Sequence, residues 1–148
     1  MHLVSVLQTR RAGKTEQRRK KVVNTENILV PFGKYSSSLK SLYHAFALAE
    51  RVKAKIFVLF FKNDSQFQDH TTPLEKACLE MIHSACEEEM AVSFHIATGE
   101  VGDELLKFIK TEYVNLIVVV AGDTEMESAV KGIKPGVSIQ IIKVKGKK

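Results

Sequence analysis

A chain of 148 residues with 45% hydrophobic content has the size of one globular domain, large enough to bury its own core and too small for two ordinary ones. No apolar stretch approaches the roughly 20 residues that a bilayer-spanning helix needs. The longest runs, Ile56 to Phe61 and Leu116 to Val120, are strand-sized, so the chain is expected to be soluble. The formal net charge of +5 comes from one place. Between Gln8 and Lys21, seven cations (Arg10, Arg11, Lys14, Arg18, Arg19, Lys20 and Lys21) face the single acid Glu16, a net +6, which leaves 15 basic and 16 acidic residues, net −1, for the rest.

The first 26 residues therefore read as a basic N-terminal extension or linker outside the fold, with the domain occupying residues 27–148. Apolar residues do not recur periodically in the charged stretch, which points to a solvated arm. Three roles compete for it: a solubilising tail, a segment beside an anionic membrane surface, and a nucleic-acid arm. Nucleic acid ranks last because no aromatic side chain interleaves the cations to stack on bases. Leu3, Val4, Val6 and Leu7, just before the arm, form a short apolar start that favours the membrane reading slightly but is too brief to anchor. No long apolar core follows the charges, which disfavours a cleaved signal peptide.

From Asn27 onward the pattern becomes regular. Ile28 to Phe32 predicts a strand, Gly33-Lys34-Tyr35 a turn, and any of Ser36, Ser37 and Ser38 can cap the helix whose apolar face is Leu39, Leu42, Phe46, Ala49 and Val52. Ile56 to Phe61 has no polar residue, as expected of a strand buried on both faces of a parallel sheet. Asn63 to Thr71 is a polar loop. Thr72-Pro73-Leu74-Glu75 then starts a helix with threonine as cap, proline at its first position and Glu75 completing a capping box. That helix, running to about Met90, turns Leu74, Cys78, Met81, Ile82, Ala85 and Met90 inward.

Val92, Phe94 and Ile96 alternate with Ser93, His95 and Ala97, which predicts a third strand nearer a sheet edge. After Thr98-Gly99, Leu105, Phe108 and Ile109 mark another amphipathic helix. Leu116 to Val120 is a buried strand, Asp123 to about Gly132 a short helical segment, Lys134-Pro135-Gly136 a turn and Val137 to Val144 the last strand. Five strands with intervening helices imply an α/β fold with a single doubly wound sheet.

Ile28-Leu29-Val30-Pro31-Phe32, followed by Ser38-Leu39, Leu42, Ala45, Leu48-Ala49, Arg51, Ala54 and Val58-Leu59, resembles the opening of universal stress protein domains without gaps. Gly99, Leu105-Leu106, Leu116-Ile117-Val118 and Gly122 resemble the second half of the same family at its usual spacing. The resemblance spans about Asn27 to Val144. It implies a Rossmann-like, adenine nucleotide alpha hydrolase-like fold: a five-stranded parallel sheet of order 3-2-1-4-5, often dimeric along the last strand. Val137, Ile139, Ile141 and Val144 would form that edge, and a homodimer is the expected assembly.

Two departures from the family concern ATP. Family members that bind it carry an acidic residue after the first strand, where this chain has Gly33, and a loop of the form G-x2-G-x9-G-[ST] after the fourth. Here Gly122 is kept, but Asp123, Glu125 and Glu127 follow, and Lys131-Gly132-Ile133-Lys134 stands where the later glycines and the Ser or Thr would be. Phosphate cradles aim N–H groups and cations at an anion, and this acidic run opposes one. A crevice at the carboxyl ends of the first and fourth strands would be lined by Pro31, Phe32, Gly33, Ala121 and Gly122. It suits an uncharged ligand, unless these residues simply close loops. Lys34 or Lys131 could partly offset the acid, which keeps ATP or another adenine nucleotide as the minority cofactor.

Catalysis has no nominee. His44, His70, His83 and His95 are scattered over different elements, and His83 with Cys86 makes only two ligands of a metal site, so neither catalytic residue nor metal is assigned. Cys78 lies on a buried helical stripe, where thiols are usually inert. Two cysteines too far apart on one helix to pair suit a reducing compartment, the cytoplasm, with the membrane surface as an alternative location. The expectation is a non-catalytic regulatory or sensor domain that works by association and needs no cofactor, with one possible setting as the cytoplasmic part of a membrane transport system. The alternative is an adenine-nucleotide binder with an atypical phosphate contact.

Overall fold

The computed structural model describes residues 26–33, 38–62, 72–133 and 138–145, together with the backbone of residues 3–7. The order of elements is β1 (Leu3–Leu7), β2 (Glu26–Phe32), α1 (Lys40–Arg51), β3 (Ala54–Phe61), α2 (Pro73–Glu87), β4 (Ala91–Ala97), α3 (Val101–Glu112), β5 (Leu116–Val120), α4 (Thr124–Ile133) and β6 (Gln140–Val144). They build one sheet in the order β1-β4-β3-β2-β5-β6. Counting from β2, the parallel part is the five-stranded 3-2-1-4-5 arrangement that the sequence implied. Its registers are regular: Ile28 lies opposite Ile56 on one side and Leu116 on the other, and Ile117 lies opposite Ile141.

The all-apolar strands are explained by how their side chains divide. Even-numbered residues (Ile28, Val30, Phe32, Ile56, Val58, Phe60, Phe94, Val118) pack under α1 and α2. Odd-numbered ones (Leu29, Phe57, Leu59, Phe61, Ile117, Val119) pack under α3 and α4. A strand covered by helices on both faces has no polar side to display. Phe32 stacks on Phe60 at 5.0 Å between ring centres, and Phe57 meets Phe108 edge-on at 5.5 Å.

The ends of the sheet differ from the sequence reading. Leu3–Leu7, read there as a bare apolar start, is a strand that pairs antiparallel with β4, Leu3 opposite Ala97 and Leu7 opposite Phe94, with a register shift between Ser5 and Leu7. At the far end β6 begins at Gln140, later than Val137, and Ser138 and Ile139 precede it outside the strand. Val137 lies outside the described residues, as do Lys34, His70, Ser36, Ser37 and the whole basic stretch from Arg10 to Lys21.

Helix starts are set by local chemistry. Ser38 Oγ accepts from the Lys40 N–H (3.2 Å) at the start of α1. Thr72 Oγ1 accepts from the Glu75 N–H (3.1 Å), with Pro73 at the first helical position of α2. The capping box is not completed, because the Glu75 carboxylate goes elsewhere: its Oε1 accepts from Lys62 Nζ at 2.9 Å. Both side chains are buried, and Lys62 is carried there by the end of β3, where its N–H also donates to Ala97 O. Removing one member of such a pair leaves an uncompensated charge in a dry site, whereas replacing both with apolar groups of similar size is often neutral. Glu75→Gln or Lys62→Met alone should lower the urea-unfolding free energy by about 3 kcal/mol, and the double Lys62→Met/Glu75→Leu variant should recover most of the loss.

Candidate functional crevice

The order of strands reverses between β2 and β5, and this is where a doubly wound sheet leaves a crevice. Pro31, Phe32 and Gly33 end β2 and are all buried, while Ala121 and Gly122 follow β5, half-buried and exposed respectively. The structure therefore brings the five crevice residues to the two strand ends expected of them. What fills the space between them is the start of α4. A side chain added at Gly33 would begin 3.3 Å from Glu125 Oε1, 3.4 Å from Met126 Cε and 3.8 Å from Asp123 Oδ1.

The turn after β5 is held by the chain's own groups. The Ala121 N–H donates to Val144 O (2.7 Å), and the Asp123 N–H donates to Val120 O (3.2 Å). Gly122 takes φ +102°, a backbone conformation open to glycine, and its N–H donates to Glu127 Oε2 at 2.8 Å. Asp123, immediately before α4, accepts the Met126 N–H on Oδ1 (3.4 Å), while the Glu127 N–H donates to Asp123 O (2.9 Å). The positive end of the α4 dipole is thus met by carboxylates of its own first turn. The sequence placed Asp123 and Glu125 at the mouth of the crevice. It did not reveal that Glu127 folds back onto Gly122, although an acid one turn into a helix is the residue type that does so.

The other candidate groups lie apart from this crevice. Cys78 is fully buried in α2, and burial, with a contribution from the Glu75 charge, pushes its thiol up to about 12. Such a thiol is protonated and unreactive at neutral pH. Cys86 is half-buried, also raised by burial, and its Sγ lies 3.8 Å from Val92 O. His83 faces Glu87 one turn along, 3.7 Å away on the exposed side of α2. His95 sits half-buried on β4 between Phe57 and Phe108, sharing a 2.8 Å hydrogen bond between its Nε2 and Ser93 Oγ, and desolvation lowers its pKa. Among the described residues no three His, Cys, Asp or Glu side chains gather as a metal site would require. No described helix is long and apolar enough to cross a membrane.

No family model and no curated protein matches this chain. Solved structures do. The universal stress protein UspA from Lactobacillus plantarum superposes with a TM-score of 0.52 at 17% identity, covering 80% of this chain and 97% of the other. A universal stress protein family protein from Arabidopsis thaliana, solved with AMP bound, gives a TM-score of 0.55 at 14% identity, covering 82% of this chain and 92% of the other. The fold is that of universal stress proteins.

Because nothing lies within 4 Å of a Cβ built on Gly122, the cost of a side chain there is backbone strain alone. Gly122→Ala should destabilise the protein by about 1–3 kcal/mol, read from the urea midpoint. A Gly122→Asn variant, which tolerates left-handed backbone better, should lose less.

Proposed function

We propose that this chain is a non-catalytic, universal stress protein-like regulatory module that works by association, with its phosphate-facing turn occupied by its own carboxylates. The observation that carries this reading is the 2.8 Å hydrogen bond from the Gly122 N–H to Glu127 Oε2. A phosphate approaching that turn would have to displace one carboxylate and approach two more, at Asp123 and Glu125. Lys131, the described cation of the segment, lies on the flank of α4 that borders β6, beside Lys143 and Ile141.

Melting the full chain with and without millimolar ATP and magnesium tests this. No shift is expected. A ligand present at 100 times its Kd would add about 2.7 kcal/mol, a shift of several degrees, and a shift of that size with ATP would overturn the proposal. The AMP bound to the Arabidopsis protein favours a second reading, a nucleoside monophosphate held mainly through its base and ribose. A shift with AMP and none with ATP would select that reading.

Association is proposed to use β6 and to give a homodimer. The Gln140 N–H donates to Asn115 O and Val144 O accepts from Ala121, so the even-numbered residues of β6 bond to β5. By alternation, the N–H and C=O groups of Ile141 and Lys143 point to the free edge of the sheet. A second copy would pair there, beside the half-buried Ile139, Ile141 and Val144. The seven cations between Arg10 and Lys21 support a further contact with an anionic surface, as in the cytoplasmic part of a membrane transport system. Lys143→Pro removes one outward N–H without touching the β5 ladder. Sedimentation velocity should find the parent dimeric and this variant monomeric, with little change in melting temperature; equal sedimentation would exclude the edge.

A further inference from the structure

Val119 of β5 is buried beneath the helices while Ile141 of β6 is only half-buried, and an open trough of about 670 Å³ runs between α4 and the edge strand. Its floor is apolar: Val119 from β5, Val130 from α4 and Ile141 from β6. Its walls are polar. Thr124, Glu127, Ser128 and Lys131 recur at the spacing that puts one helical stripe along one flank, and Lys143 stands on the opposite wall. None of the crevice residues Pro31, Phe32, Gly33, Ala121 or Gly122 lines it. It is a separate site on the other flank of the same helix.

The charges decide what would fit. Lys131 and Lys143 are both exposed, and neither forms an ion pair among the described residues. Glu127 also borders the trough, but its carboxylate is turned to the Gly122 N–H. The three ionised groups sum to one positive charge, which matches a monoanion better than a phosphate dianion. Ammonium groups act as point charges and do not require the planar geometry that arginine would impose. The volume lies within the range of about 300–1,000 Å³ typical of small-molecule sites, which pair an apolar lining with a few polar groups that fix orientation.

We propose that the trough between α4 and β6 binds a small amphipathic monoanion, an acyl or aryl carboxylate. Its apolar body lies on Val119, Val130 and Ile141, and its carboxylate sits between Lys131 and Lys143. Thr124 and Ser128 hydroxyls supply further donors along the wall. The trough shares Glu127 with the turn at Gly122, but the two lysines that would hold the carboxylate belong to the trough alone.

Calorimetric titration of the full chain with octanoate tests this, with octanol and octyltrimethylammonium as neutral and cationic probes of the same chain length. Octanoate should bind at one site per chain, octanol at least about tenfold more weakly, and the cation not at all; tenfold corresponds to about 1.4 kcal/mol. Lys131→Glu/Lys143→Glu should reduce octanoate affinity by at least tenfold while leaving octanol binding unchanged. Ser128→Trp keeps both lysines but fills the trough, and should weaken both ligands. Circular dichroism and the melting temperature establish that each variant is folded. Absence of octanoate binding to the parent chain would overturn the proposal. So would equal affinity for the three probes, or undiminished octanoate binding by either variant.

Discussion

The requirement that the three central strands, β3, β2 and β5, be buried on both faces governs this protein. In β2, β3 and β5 the side chains alternate between two separate cores, one under α1 and α2 and one under α3 and α4. Each face needs an unbroken series of apolar residues at period two, so the strands become continuous apolar runs. A polar substitution at Leu29, Val58 or Ile117 would place an unpaired group under a helix, whichever way it pointed. Functional groups are therefore driven to the strand ends and to the edge strands, where backbone turns and helix flanks meet solvent.

The turn after β5 is such a place, and its chemistry is that of an anion site satisfied from within. A helix N-terminus leaves N–H groups without intrahelical partners and carries a partial positive charge. Here the Met126 N–H meets Asp123, the Gly122 N–H meets Glu127, and Glu125 extends over Gly33. The same arrangement stabilises α4, whose first turn carries acids, and raises the cost of an external phosphate. The carboxylates that stabilise the helix are thus the same ones on which the proposed exclusion of a phosphate rests.

How much of this was legible in the sequence depends on whether the signal was local. The parallel strands were readable because Ile56 to Phe61 and Leu116 to Val120 contain no polar residue, and the start of α2 because Thr72 and Pro73 act within one turn. Gly33 and Gly122 could be placed at the ends of β2 and β5 because strand ends and glycine turns are local too. The pairing of Lys62 with Glu75 was not readable, since the capping motif offered Glu75 a nearer partner and only packing brings the end of β3 to α2. β1 was missed for a related reason. Leu3, Val4, Val6 and Leu7 are followed by charge, and their partner β4 lies far along the chain, so nothing nearby marks them as a strand.

The trough at β6 was illegible because it depends on how far a helix reaches across a sheet. Met126 and Val130 are buried, and Met126 also reaches Gly33, which fixes α4 over β5 and toward β2. A helix held there by its core stripe cannot also cover the outermost strand. Its next stripe, Thr124 to Lys131, is left facing half-buried Ile141 and exposed Lys143. The two flanks of α4 consequently do opposite work. Toward β2 the start of the helix closes the crevice with Met126, Asp123 and Glu125, and the flank toward β6 opens a lysine-walled trough, so on the proposed reading an anion is opposed at the helix start and attracted along its side.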